Sequence, residues 1–114
     1  MLEEVKNMVI IVVESLIPHE KAPEAGKKWL EVTKKFPPDR SVSKQLFIGM
    51  RPSTKGFIIL GAWEVKDGKE KEALVRMNES MLMFTEVEGY KYSIETFLSS
   101  VEAMGLIGLK PPED

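Results

Sequence analysis

The residues from Met8 to Ile17 read MVIIVVESLI, and Pro18 follows them. The run is rich in β-branched side chains and ends at a proline, a pattern typical of a buried β-strand. A second stretch of the same character, FIIL at Phe57 to Leu60, lies within a strand predicted from Phe57 to Val65. Both strands carry apolar side chains at consecutive positions, so the sequence predicts apolar side chains on both faces of the sheet that contains them.

Between and after these strands, apolar residues recur at spacings of three and four, which predicts two amphipathic helices. The first helix carries Ala22, Ala25, Trp29, Val32 and Phe36, and the second carries Ala73, Leu74, Met77, Met81 and Phe84. A strand from Val42 to Met50 forms a hairpin with the strand that begins at Phe57. Alternation from Tyr90 to Leu98 predicts a fourth strand, and a capping-box spacing from Ser99 predicts a short final helix.

The order strand, helix, hairpin, helix, strand predicts an α+β fold of the ferredoxin-like βαββαβ type. Right-handed crossovers place both helices on one face of an antiparallel four-stranded sheet. The 114 residues, 43% of them hydrophobic, suit one packed core, so we expect a single domain over residues 1–114.

The second face of this sheet has no predicted cover, although it carries apolar side chains. Leaving about six to eight of them in water, at roughly 1.5–3 kcal/mol each, would cost on the order of 10 kcal/mol, which rivals the stability of a whole domain. The final helix is too short to cover four strands, so the sequence predicts a homodimer packed through the sheet face. The alternative is that the final helix and a bent hairpin cover the face within one chain.

Composition excludes several classes of partner. The formal net charge of −2 predicts no nucleic-acid partner and no attraction to an anionic membrane. There is no cysteine, the basic segment of a signal peptide is missing at Glu3 and Glu4, and the apolar run from Met8 to Val13 is too short to span a bilayer. We therefore expect a cytoplasmic protein. The scarcity of Asn and Gln beside abundant Glu and Lys is typical of proteins from thermophiles.

The chain resembles the dimeric α+β barrel superfamily, which includes cofactor-free monooxygenases, haem-degrading enzymes and many uncharacterised archaeal and bacterial proteins. The resemblance covers nearly the whole chain and depends on the element order, on the strand ending at Pro18, on Gly61-Ala-Trp-Glu64 and on the stretch from Phe84 to Tyr90. It implies the fold and the dimer, but not a chemistry. Haem-degrading members ligate iron through a histidine on the second helix, and Lys69 to Phe84 contains none.

His19 is the only histidine, and it lies just after the first strand. It is a candidate general base near neutral pH, although a solvated loop histidine is the plainer interpretation. A histidine-based metal site would need further nitrogen or sulfur ligands, which the chain does not offer. The sequence therefore predicts no metal, haem or flavin cofactor.

Two glutamates are the other catalytic candidates. Glu14 interrupts an apolar strand, and Glu64 follows Trp63 within another. A carboxylate held in an apolar cavity has a raised pKa and can transfer protons. The alternative is that both glutamates face water or pair with Lys44 or Lys91.

A ligand pocket is the third hypothesis, with Trp63, Met77, Met81 and Tyr92 as its apolar lining. In this hypothesis Glu64 or Glu14 is the titratable group of the pocket, and the same apolar residues could equally be plain core. Three functions stay open: binding of a small apolar or weakly acidic ligand, which we favour, a cofactor-free monooxygenase or isomerase-like enzyme, and an interaction module without a pocket.

Overall fold

The structure is a computed structural model, and it describes residues 9–110. Four strands and three helices follow one another in the predicted order, with Met8 outside the described residues. Their bounds are β1 Val9–Ile17, α1 Ala22–Lys35, β2 Ser43–Ser53, β3 Gly56–Val65, α2 Glu70–Leu82, β4 Lys91–Leu98 and α3 Ser100–Leu106. Short 3-10 turns at His19–Lys21 and Met83–Glu86 precede α1 and follow α2.

The four strands form one sheet in the order β2-β3-β1-β4, and every neighbouring pair is antiparallel. Two strands adjacent in space, β1 and β3, are separated in the chain by α1 and β2, as in the split βαβ pattern. The predicted α+β, ferredoxin-like fold is confirmed. Strand β2 contains an irregularity between Gln45 and Phe47, where Leu46 has no partner on β3.

Local signals explain where the helices begin. Pro23 lies in the first turn of α1, where its missing N–H costs nothing. Glu70 and Glu72 place negative charge in the first turn of α2, where the positive end of the helix dipole stabilises it. The Ser99 side chain accepts a hydrogen bond from the backbone N–H of Glu102 at 3.2 Å and so caps α3, as the spacing of these residues predicts.

The hydrophobic core lies between the sheet and the two long helices. Strand β1 contributes Ile11, Val13 and Ile17 to it, and these alternate with less buried neighbours. The other buried apolar residues are Ala25, Val32, Val42, Val65, Ala73, Met81, Phe84 and Val87. Alternate positions of β1 therefore define a helix-facing side of the sheet and an opposite side.

The buried stripe of α1 differs from the predicted one at one position. Trp29 is 49% exposed, whereas the side chain of Lys28, which the pattern places on the wet side, is only 12% exposed. The Lys28 ammonium donates to Glu86 at 2.7 Å and to Glu31 at 3.2 Å. The bond to Glu86 ties α1 to the turn after α2, and the aliphatic stem of a lysine tolerates burial when its ammonium is satisfied.

No helix within residues 9–110 is long and apolar enough to cross a membrane.

Candidate functional site: the open face of the sheet

The side of the sheet that faces away from the core is largely apolar. We call this surface the open face. The register of the strands assigns to it Ile10, Val12, Leu16, Phe47, Ile58, Leu60, Ala62 and Phe97. Phe47 is 51% exposed, Leu60 41% and Phe97 49%, so the described residues leave this face uncovered. The alternative of a cover supplied by α3 and the hairpin is not what the described part of the chain shows.

Six charged residues lie on the open face, among and around its apolar side chains. The carboxylates are Glu14, Glu64 and Glu95, and the cations are Lys44, Arg51 and Lys91. Glu64 lies opposite Lys44, while Glu14 lies opposite Ser93. The three negative charges balance the three positive ones, so the face as a whole is close to neutral.

A shallow hollow of about 270 Å³ lies on the open face beside the β2-β3 hairpin turn. Leu16 and Ile58 supply its apolar floor, and Glu14, Lys55 and Lys91 contribute charged groups to its rim. Among residues 9–110, none of these three charged side chains forms an ion pair. The hollow therefore combines an apolar floor with charges that have no partner in the described part of one chain.

The predicted pocket residues lie mainly on the helix-facing side. Met81 is buried, and Trp63, Met77 and Tyr92 are half-buried against the core. The Trp63 ring covers Gly61 so closely that a Cβ there would be 2.5 Å from it. Tyr92 also borders the hollow of the open face, whereas Trp63, Met77 and Met81 do not. The structure thus brings Trp63, Met77 and Met81 to the packed interior.

The candidate carboxylates are on the other side of the sheet. Glu14 is exposed and Glu64 half-buried, and the strand register places both on the open face. Within one chain they therefore do not share a cavity with Trp63, Met77 and Met81. Glu14 does border the open-face hollow.

His19 lies apart from both glutamates, on the 3-10 turn after β1. It is exposed, and its ring meets that of Phe57 edge to face at 5.1 Å between centroids. Within residues 9–110, no three acidic or histidine side chains are grouped so as to hold a metal ion.

Tyr90 is a polar group of the interior whose surroundings the sequence does not reveal. Its ring stacks on Phe84 at 4.7 Å and lies 6.5 Å from that of Tyr92. Burial raises the pKa of the Tyr90 hydroxyl, and a hydrogen bond with Ser15 opposes that rise.

The residues around the hollow were not grouped by the sequence pattern. Lys91 and Ser93 alternate with Tyr92 along β4, which places them on the face opposite to that of Tyr92. The alternation along β4 is the sequence signal that places Lys91 and Ser93 on the same face of the sheet. Lys55 lies in the hairpin turn, and only the fold shows that the turn closes one end of the hollow.

Comparison with known proteins gives the fold and no more. No family model and no curated protein matches the sequence. A conserved protein from Methanosarcina mazei Go1 superposes with a TM-score of 0.59 at 10% identity, over 88% of this chain and all (100%) of the other. A candidate antibiotic biosynthesis monooxygenase from Caulobacter crescentus CB15 gives 0.52 at 14% identity, over 86% and 94%.

A de novo designed protein, Foldit4, superposes about as well as the Caulobacter protein does. Its TM-score is 0.53 at 14% identity, over 82% of this chain and 98% of the design. Since a designed chain has the same architecture, the architecture by itself carries no activity. The likenesses show that this chain has the ferredoxin-like α+β fold.

Proposed function

We propose that this protein is a homodimer, packed through the open face, that binds a small apolar ligand between its two sheets. The observation that supports the proposal is the uncovered apolar face with a hollow at one end. Exposed apolar surface of this extent is typical of an interaction or ligand site.

The size of the open face suits a dimer interface. Four strands at about 4.8 Å spacing and about eight residues at roughly 3.3 Å each cover roughly 19 by 26 Å in projection. Side chains standing on that area raise its accessible surface towards the roughly 800 Å² per partner of a standard interface. A small ligand alone would leave most of the face wet.

The charges favour a second copy over an unrelated partner. Three carboxylates and three cations lie among the apolar side chains of the face, so two copies of it bring equal numbers of opposite charges to pair. A nucleic acid or a strongly charged protein would leave half of these groups without an opposite charge. In a two-fold pair each copy presents the same patch to the other.

The hollow gives the dimer a place for a ligand. Covering the open face would remove the hollow from bulk water, because its floor belongs to the same surface as Leu60 and Val12. Ligand sites are commonly enclosed, mostly apolar and fitted with a few polar groups.

A cofactor-free enzyme is the second candidate, because Glu14 borders the hollow. Its carboxylate would take a proton from an enolisable substrate held on Leu16 and Ile58. Exchange of the acidic hydrogen of a bound 1,3-diketone, followed by NMR in D₂O, separates this candidate from simple binding: wild-type protein should accelerate exchange, and Glu14→Gln should not.

The dimer is tested by sedimentation equilibrium at micromolar concentration, where we expect twice the chain mass. Leu60→Glu adds a charge beside Glu14 in the centre of the open face and should give a folded monomer. The matched control is Leu30→Glu, because Leu30 is an exposed leucine on α1 and its replacement should leave the mass doubled. A monomeric wild-type protein would contradict the proposal.

Ligand binding is tested on the same sample by calorimetric titration with n-octanol. We expect one binding event per chain in the wild-type dimer and none in Leu60→Glu. If the verified dimer gave no saturable binding of n-octanol, an interaction module without a pocket would be the better interpretation.

A further inference from the structure

We infer that the hollow on the open face is selective for a small apolar monocarboxylate, and that Lys55 and Lys91 bind its carboxylate group. The inference depends on the proposed function, since a second copy is needed to close the hollow. It adds the chemical class of the ligand and the residues that select it.

The strand register sets the apolar and cationic parts of the hollow side by side. Leu16 lies between Ile58 on β3 and Lys91 on β4, so the three side chains form one row across the open face. Lys55 stands in the hairpin turn, next to Ser53 at the end of β2. A ligand lying on Leu16 and Ile58 therefore has an ammonium group within reach at the β4 side and another at the turn.

The two lysines are set apart by their place beside an apolar surface that a second copy would cover, not by the lack of a carboxylate partner, which Lys34 shares within residues 9–110. Lys21, Lys28 and Lys69 each lie within 4.0 Å of a glutamate carboxylate. Within residues 9–110, neither Lys55 nor Lys91 does. Once the face is covered, an unpaired cation costs free energy that an anionic ligand would recover.

The charge of the hollow selects a monoanion. Lys55 and Lys91 contribute two positive charges, and the exposed Glu14 contributes one negative charge. The sum of one positive charge matches a carboxylate better than a phosphate monoester, which carries nearly two negative charges at neutral pH.

The volume of the hollow suits a ligand with a small apolar part. Its volume of about 270 Å³ equals that of about nine water molecules at roughly 30 Å³ each. That space suits a short aliphatic or aromatic acid such as octanoate or phenylacetate.

The test compares octanoate, n-octanol and octylamine by calorimetric titration of the full chain, after sedimentation has verified the dimer. We expect octanoate to bind about tenfold more tightly than n-octanol, and octylamine to bind least. Lys91→Gln and Lys55→Gln should each weaken octanoate severalfold and leave n-octanol unchanged. The matched control is Lys34→Gln on the exposed side of α1, which should change neither.

The position of the ligand is tested by NMR in the same titration. Octanoate should shift the backbone amides of Leu16 and Ser93, and not the methyl groups of Met77 and Met81. Shifts confined to the two methionine methyls would overturn the inference and favour the predicted helix-side pocket.

The outcomes separate the inference from the proposed function. Equal affinity for octanoate and n-octanol, with no effect of either lysine substitution, would overturn the anion selectivity and leave the ligand-binding dimer intact. A dimer that binds none of the three probes, or a monomeric protein, would overturn the proposed function and the inference with it.

Discussion

The two faces of one sheet are built from the same kinds of residue and differ in what covers them. On β1, Ile11 is 1% exposed under the helices, while its neighbour Ile10 lies on the open face and is only half-buried. The backbone hydrogen bonds of the two residues belong to the same ladders. The comparison teaches that strand propensity forms the sheet, and that cover decides which apolar side chains stabilise a single chain.

Ile11→Ala and Ile10→Ala form the pair with the largest expected effect. Ile11→Ala leaves a cavity in the core and should lower the free energy of unfolding by about 2–5 kcal/mol. Ile10→Ala should cost less, and its cost should grow with protein concentration, because the proposed partner buries Ile10 only in the dimer. Urea denaturation at several protein concentrations measures both losses of stability. Equal losses for the two variants, independent of protein concentration, would contradict the expectation that a partner covers Ile10.

Two glycines give a smaller and sharper comparison, because an aromatic ring covers each of them. A Cβ at Gly61 would lie 2.5 Å from the Trp63 ring on the helix-facing side, and a Cβ at Gly49 would lie 2.8 Å from the Phe47 ring on the open face. Trp63 is packed against the core, whereas Phe47 is half exposed, so its ring has open space into which it can turn. Gly61→Ala should therefore destabilise the chain by about 1–3 kcal/mol, and Gly49→Ala by less than about 1 kcal/mol.

Thermal unfolding at low concentration checks this pair. Gly49→Ala should also weaken association in the proposed dimer, because the displaced Phe47 ring would collide with the partner. Equal melting temperatures of the two variants under dissociating conditions would show that Trp63 is as mobile as Phe47.

The smallest effect concerns the attachment of the helix layer through Lys28 and Glu86. The Lys28 ammonium lowers the pKa of the Glu86 carboxyl below its ordinary 4.5. A lowered folded-state pKa stabilises the protein above the ordinary value and loses that contribution as the pH falls through the folded-state pKa. Glu86 in turn raises the pKa of Lys28 above its ordinary 10.5, so the lysine stays charged throughout the acidic range.

The melting temperature of the wild-type protein should therefore fall more steeply from pH 5 to pH 3 than that of Glu86→Gln. The control is Glu79→Gln, because Glu79 is exposed and forms no ion pair within the described residues. Parallel pH profiles for wild type and Glu86→Gln would show that the ion pair adds no stability.

The order of elements could be predicted because each depends on local signals, such as the β-branched run of β1 and the Ser99 cap. The face to which each side chain belongs was harder to predict. Strands that are apolar on both sides do not reveal which side the helices cover. The irregularity at Leu46 also shifts the alternation of β2, so that Lys44 and Phe47 lie on the same face although three positions separate them.

The candidate site was only partly predictable, for a reason visible in one dipeptide. Trp63 and Glu64 are consecutive residues of a strand, so their side chains point to opposite faces. Period-two alternation alone therefore argues against a pocket that both residues line. The grouping of Lys55 with Lys91 could not be predicted, because it depends on the pairing of strands that are distant in the chain.

The irregularity of β2 also affects whether strands of other molecules can add to the edge of the sheet and form a polymer. This strand is one edge of the sheet, opposite the β4 edge, and Leu46, Ile48 and Met50 are exposed along it. An apolar edge of this kind is a template on which strands of other molecules can add one after another, as in amyloid. Here the ladder is interrupted at Leu46, and Pro52 offers no N–H near the far end. Growth by edge addition at β2 is thereby disfavoured, which leaves the open face as the surface for the proposed pairing of two copies.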